Sequence, residues 1–172
     1  MACAIVSGYA LDCKDAVGGI KNIYITELAN ITAVAQNASG YVTAITKVGG
    51  KKYFTYALEP RGVNSTSQTI NADPTIGTVS VEQNINAAFV KMKFETQNIL
   101  QNVIQNRVSV LVEMKTGQYF LFGKEFGMQV NGGTGTSGQA MSEFNGYAIT
   151  FQGEEKLFAN EVDPTIITAL LV

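Results

Sequence analysis

The chain has 172 residues, 46% of them hydrophobic, which suits one globular domain with a sizeable buried core. Only 15% are charged and the net charge is −2, which argues against a protein whose affinity comes from neutralising phosphates. There is no histidine, and Cys3 and Cys13 are the only cysteines, so a zinc site of four Cys/His ligands and both Ser-His-Asp and Cys-His catalysis are excluded by inventory.

Residues 1–19 read as an extended N-terminal arm or short strand ending in a Val17-Gly18-Gly19 turn. The sequence there lacks a basic leader followed by a long apolar core, so it does not resemble a signal peptide, and no apolar run approaches the length of a membrane span. Cytosolic synthesis with two free thiols is the expectation. Residues 20–28 are β-branched and aromatic and predict a strand. Residues 31–38 fit either a short helix or a strand, and run into the turn chemistry of Asn37-Ala38-Ser39-Gly40. A hairpin is predicted next: strand 41–47, a Val48-Gly49-Gly50-Lys51 turn with both glycines at positive φ, and strand 52–58 with Phe54, Tyr56 and Leu58 on one face. Pro60-Arg61-Gly62 closes that unit.

Residues 64–77 are rich in Ser, Thr and Asn and hold Pro74; they read as a long loop, with at most a short edge strand at 68–71. From Thr78 the pattern alternates: Val79, Val81, Ile85, Ala87 and Phe89 share one parity, interrupted only by Gln83. Val90, Met92 and Phe94 take the other, which predicts a bulge near Ala87–Ala88. A helix follows at about 95–106. Ile99, Leu100, Val103 and Ile104 mark one face; Gln97, Asn98, Gln101, Asn102, Gln105 and Asn106 mark the other. A solvated helix face usually carries Lys and Glu; this polar but uncharged one suits packing against protein, and Gln97, Gln101 and Gln105 are candidate interface residues.

Residues 108–114 and 118–124 predict a hairpin about Thr116-Gly117 that is apolar on both faces. Either it is central in a sandwich with the helix over its second face, or it meets another subunit. Residues 126–130 extend that pairing, and 131–143 form a second long, glycine-rich, charge-poor loop. A strand at 144–152, a charged turn at 153–156 and a short helix or strand after Asp163-Pro164 complete the chain. The fold expected is mainly β: a single-domain sandwich or barrel of roughly eight to ten strands with one flanking helix.

No stretch carries catalytic equipment. The Gly132–Gly138 glycines lack the Lys, the Ser/Thr and the helix of a phosphate-binding loop. Their small residues suit either a free surface loop or one that orders on assembly, which makes Gly133, Thr134, Gly135, Thr136 and Ser137 further interface candidates. The carboxylates Glu154/Glu155, Glu161/Asp163 and Asp12/Asp15 read as charged turns, and adjacent strand residues point to opposite faces. Asn71 and Asp73 are spaced like calcium ligands, but Pro74 follows and no glutamate closes the loop. Lys51–Lys52 and Lys91/Lys93, the only basic clusters, read as solvated strand positions. No catalytic residue, metal or cofactor is expected. A chain with so few charges is better suited to a subunit that hides its surface than to a monomer.

Residues 11–28 (LDCKDAVGGIKNIYITEL) and 134–171 (TGTSGQAMSEFNGYAITFQGEEKLFANEVDPTIITALL) resemble the two ends of virion proteins of phages that infect Bacteroidetes. The order between them, hairpin, long strand, single helix and final strands, resembles the phage tail-tube (major tail protein) family. That resemblance implies a β-sandwich flanked by a helix that self-assembles into hexameric rings. The rings' sheets join into a barrel, and the rings stack into a tube that conducts DNA without binding it specifically. It also implies other phage tail proteins as partners, assembly in the host cytoplasm and residence in the virion tail. A head–tail connector or neck ring is the neighbouring reading within virions; a β-sandwich glycan-binding module, disfavoured by the absence of Trp, is the rival of another class.

Overall fold

The structure, a computed structural model, describes residues 8–9, 17–59 and 64–172. Most of the 1–19 arm, both cysteines and Pro60-Arg61-Gly62 lie outside the described residues.

Eleven strands form two sheets. The larger has the order β2 (Ile31–Gln36), β3 (Val42–Lys47), β11 (Asn160–Val162), β8 (Tyr119–Phe122), β7 (Val108–Met114), β1 (Ile20–Glu27), β4 (Phe54–Ala57). The smaller has the order β5 (Ser65–Asp73), β6 (Thr78–Val90), β10 (Gly146–Glu155), β9 (Gln129–Thr136). Every pairing is antiparallel except the single β3–β11 contact at Val42 and Val162. The mainly-β sandwich with a flanking helix is thus present, with more strands than expected and a second helix.

The double-sided β7–β8 hairpin explains the layering. Val108, Val110 and Val112 enter the core between the sheets, with Ile23 and Ile25 of β1 and Phe151 of β10. Leu111, of the other parity, enters a second core with Tyr24, Val42 and Ile45. That second face is covered from within the chain, by α2 (Pro164–Leu170) through Ile167 and Leu170. Asp163 caps α2, its Oδ1 accepting from Thr165 N at 2.8 Å, with Pro164 in the first turn where a missing N–H is harmless. At the other end Lys47 Nζ donates to the carbonyls of Ala169, Leu170 and Val172 at 2.9, 3.1 and 3.0 Å. α1 (Phe94–Gln105) packs against β9 and sends Leu100 and Val103 into the inter-sheet core, leaving Ile99 and Ile104 half exposed.

Several expectations are corrected. The 41–58 hairpin does not exist: β3 pairs β2 and β11, whereas β4 pairs β1 at the far edge of the sheet. Only Gly50 of the two glycines has positive φ (77°). After that turn Tyr53 is buried in the second core and its N–H donates to Leu170 O (3.0 Å), so the chain crosses the face of the sheet instead of returning beside β3. The 64–77 loop is mostly strand β5, paired with β6 from Ser65–Asn86 to Asp73–Thr78 without a break. Its polar composition reflects exposure at an edge, not irregular backbone. The bulge near Ala87–Ala88 is absent too, since β6 stays in register with β10 through Val90. The pattern breaks because the strand ends at Val90 and the next residue, Lys91, has a φ of +70°. Residues 153–155 complete β10 instead of turning, and the ambiguous 31–38 segment is strand β2.

Candidate assembly surfaces

The helix residues Gln97, Gln101 and Gln105 are all exposed on α1. Gly133, Thr134, Gly135 and Thr136, expected in a loop, lie in β9, with Ser137 just past its end. Because α1 packs against β9, both candidate sets sit on one side of the molecule. The glycines have a packing reason. A Cβ on Gly133 would come within 2.9 Å of Ala148 O, and one on Gly135 would meet the Tyr147 ring at 3.1 Å and Met92 Cε at 3.7 Å. β10's inward Tyr147 and Ile149 occupy the space that side chains on β9 would need.

The four sheet edges differ in how they are protected. β4 is only four residues long and follows Lys51 and Lys52; β2 has register shifts near both ends. Short edges, lysines and bulges all discourage pairing with another chain. β5 is nine residues long, unbulged, and uncharged before Asp73. β9 is eight residues long and uncharged, with one shift against β10 between Thr150 and Phe151. The smaller sheet therefore ends in two long, lightly protected edges, and the larger one does not.

The outward face of the smaller sheet is polar. Thr150 Oγ1 donates to Asn86 Oδ1 (2.8 Å), and Asn86 Nδ2 donates to Ser65 Oγ (3.3 Å). Asn84 Nδ2 and Gln152 Nε2 both donate to Glu82 Oε1 at 2.8 Å, and Asn131 Nδ2 donates to Gln152 Oε1. The bonds from Asn84, first, and Gln152 hold the Glu82 carboxyl below its ordinary value. None of the chain's twelve Lys and Arg residues lies in β5, β6, β9 or β10, which carry Asp73, Glu82, Glu154 and Glu155.

The buried polar groups have structural work. Gln83, the residue that interrupts the alternation of β6, is 1% exposed; its Oε1 accepts from Gly123 N (3.0 Å) and its Nε2 donates to Leu157 O (3.3 Å). Glu155 Oε1 accepts from Glu125 N and Phe126 N, both at 2.9 Å. Glu113 of β7 accepts from Lys21 Nζ (2.6 Å), Asn22 Nδ2 (2.8 Å) and Tyr24 OH (2.8 Å). Burial pushes the Glu113 carboxyl up, but those three donors together hold it below its ordinary value; burial and the bond to Glu113 raise the Tyr24 phenol. A carboxylate with three donors in place is a satisfied anchor, not a free base.

Among the described residues no group of three or more His, Cys, Asp or Glu side chains is placed to hold a metal ion. A groove of about 730 Å³ runs between β4 and α1, past Phe54, Tyr56, Ile99, Asn102 and Val103, and contains a single carboxylate, Glu27. The edges and outward face of the smaller sheet were missed by sequence reasoning. The signal available was a run, 64–73, with strand length and no glycine. The chain matches no known protein family, no curated protein and no solved structure.

Proposed function

We propose that this chain is a non-enzymatic virion structural protein, a tail-tube subunit that closes into rings, of the hexameric kind the resemblance implies, around a DNA-conducting channel. The observation that carries the reading is the contrast between the sheets. The smaller one ends in two strands of nearly equal length, β5 and β9, that carry no Lys or Arg, and it has an outward face without a cation. β5 of one copy pairing with β9 of the next continues the sheet around a ring by strand addition. The outward face then forms the wall, where acidic and amide side chains repel or ignore a polyanion that basic residues would retain. Assembly is with further copies of the chain and, at the ends, with other tail proteins.

The test is concentration-dependent assembly of the purified full chain, followed by negative-stain microscopy. Rings are expected. Ser67→Lys with Thr69→Lys, at exposed β5 positions, should leave the fold intact and abolish them. Gln101→Lys with Gln105→Lys should weaken assembly if the helix face is also buried between copies. A wild-type chain that stays monomeric at high concentration refutes the reading.

A further inference from the structure

The groove between β4 and α1 has two walls that do not meet. On one, Phe54, Thr55 and Tyr56 of β4 all line it, though alternate strand residues point to opposite faces, so the groove reaches round the edge of the strand. Among the described residues that edge is unpaired, because β4 hydrogen-bonds only to β1. On the other wall, Ile99, Asn102, Val103 and Asn106 stand at the spacing of one helix face. Phe54 is 57% exposed and Ile99 48%, so each wall holds a large apolar side chain in water. A strand edge facing a helix across an apolar cleft is the shape in which an extended peptide adds a strand to a sheet, its alternate side chains entering the cleft.

Charge selects the occupant. Lys51 and Lys52 line the same groove, and Lys52 Nζ stands 5.8 Å from the centre of the Phe54 ring. Among the described residues neither lysine has an ion pair, and Glu27 is the one carboxylate in the groove. We infer that this groove takes an extended segment of another protein, added antiparallel to β4, with apolar side chains at alternate positions and carboxylates at its C-terminal end. Antiparallel addition, the arrangement β4 already has with β1, carries that end past Phe54 to the two lysines. The lysines that keep an unselected strand from β4 thereby admit one that neutralises them. β4 has four residues, roughly 13 Å at about 3.3 Å per residue, so the contact is short and the affinity modest. The inference goes beyond the ring reading and does not depend on it, since neither β5 nor β9 takes part.

The probe is a short fluorescent peptide in which valine alternates with threonine and two aspartates close the C-terminal end. Anisotropy with the full chain should show saturable binding that weakens as salt rises, and amide exchange should slow across Phe54–Ala57. Lys51→Glu with Lys52→Glu, at exposed positions, should keep the wild-type melting profile and weaken binding by about tenfold or more. Ile99→Gln keeps a good helix former at a half-exposed position and should weaken it by about threefold or more. The same peptide ending in two lysines should not bind. Ser67→Lys with Thr69→Lys, on β5, should bind as the wild type does. Absence of saturable binding overturns the inference, as does equal binding of the lysine-ended peptide or an unchanged affinity on charge reversal. Protection that appears on β5 or β9 instead of β4 overturns it too. A groove filled by a second copy of this chain would leave the peptide unbound and make the oligomeric state depend on Lys51 and Lys52, which also overturns it. A wild type that binds the peptide but stays monomeric overturns the ring reading and leaves this one standing.

Discussion

Truncating Glu113 to alanine should destabilise the fold by about 2–4 kcal/mol. The carboxylate is on the central strand β7, 4% exposed, with Oε1 held by Lys21 and Oε2 shared by Asn22 and Tyr24. Lys21 is mostly in water and Asn22 half buried, so solvent replaces much of what those two lose. Tyr24 is buried, and its hydroxyl would be left without an acceptor at a cost of about 1–3 kcal/mol. The lost packing of the side-chain methylenes adds roughly 1 kcal/mol. Urea unfolding read from the midpoint at constant slope measures the change. Adding Tyr24→Phe should recover part of the loss, because the stranded hydroxyl goes with it. The pH dependence carries a sign. The folded carboxyl lies below the ordinary value of 4.5, so its contribution is complete above that value and is lost as pH falls through the folded one. The wild type should therefore lose stability in acid more steeply than Glu113→Gln. A shift under about 0.5 kcal/mol on truncation, or identical acid slopes, would refute the reasoning.

Lys47→Met removes the ammonium that bonds the last carbonyls of α2; a loss of about 1–2 kcal/mol is expected, with faster amide exchange across 164–172. Tyr53→Phe should be neutral or stabilising by up to about 1 kcal/mol in thermal unfolding, since the buried phenol, pushed up to about 12 by burial, lacks a hydrogen-bond partner among the described residues. Gly135→Val, which drives a side chain into the Tyr147 ring, should cost about 1–3 kcal/mol, whereas Gly132→Val, facing open space, should be tolerated. Equal melting temperatures for those two variants would show that β9's glycines have no packing role.

The sequence made the apolar elements legible. β1, the β7–β8 hairpin, α1 and the capped start of α2 stand close to where periodicity and capping put them, because each buries a patterned face. The polar edges were not legible. β5 has no apolar face to report, and β9 uses glycine where a strand normally uses side chains, because Tyr147 and Ile149 fill that space from the neighbouring strand. The 41–58 hairpin misled for a different reason. Turn chemistry at Gly49-Gly50 fixes a local reversal but not the partner, and the burial of Tyr53 takes the chain across the sheet. Gln97, Gln101 and Gln105 read as a face that packs against protein; in the folded chain they are exposed on α1, and what meets that face is a quaternary matter that composition does not encode.

The division between the sheets bears on how a channel wall works. The outer face of the larger sheet is closed by α2 and filled with Val42, Leu111 and Leu121. The outer face of the smaller sheet is a lattice of amides and hydroxyls that each turn a donor to a neighbouring oxygen: Asn84 and Gln152 to Glu82, Asn86 to Ser65, Thr150 to Asn86. Such a surface offers a phosphate backbone neutral donors partly engaged by their neighbours and no cation, and the carboxylates among them add repulsion. On the proposed reading, the polar residues that made 64–86 look like loop and irregular strand are there because the face must stay wet and must not bind. Placing lysine at Asn84 and Asn86 supplies free donors in the middle of that lattice. On that reading the double variant should bind DNA measurably where the wild type does not, with an affinity that falls steeply as salt rises. An unchanged, negligible affinity in assembled rings would mean that this face does not line the channel.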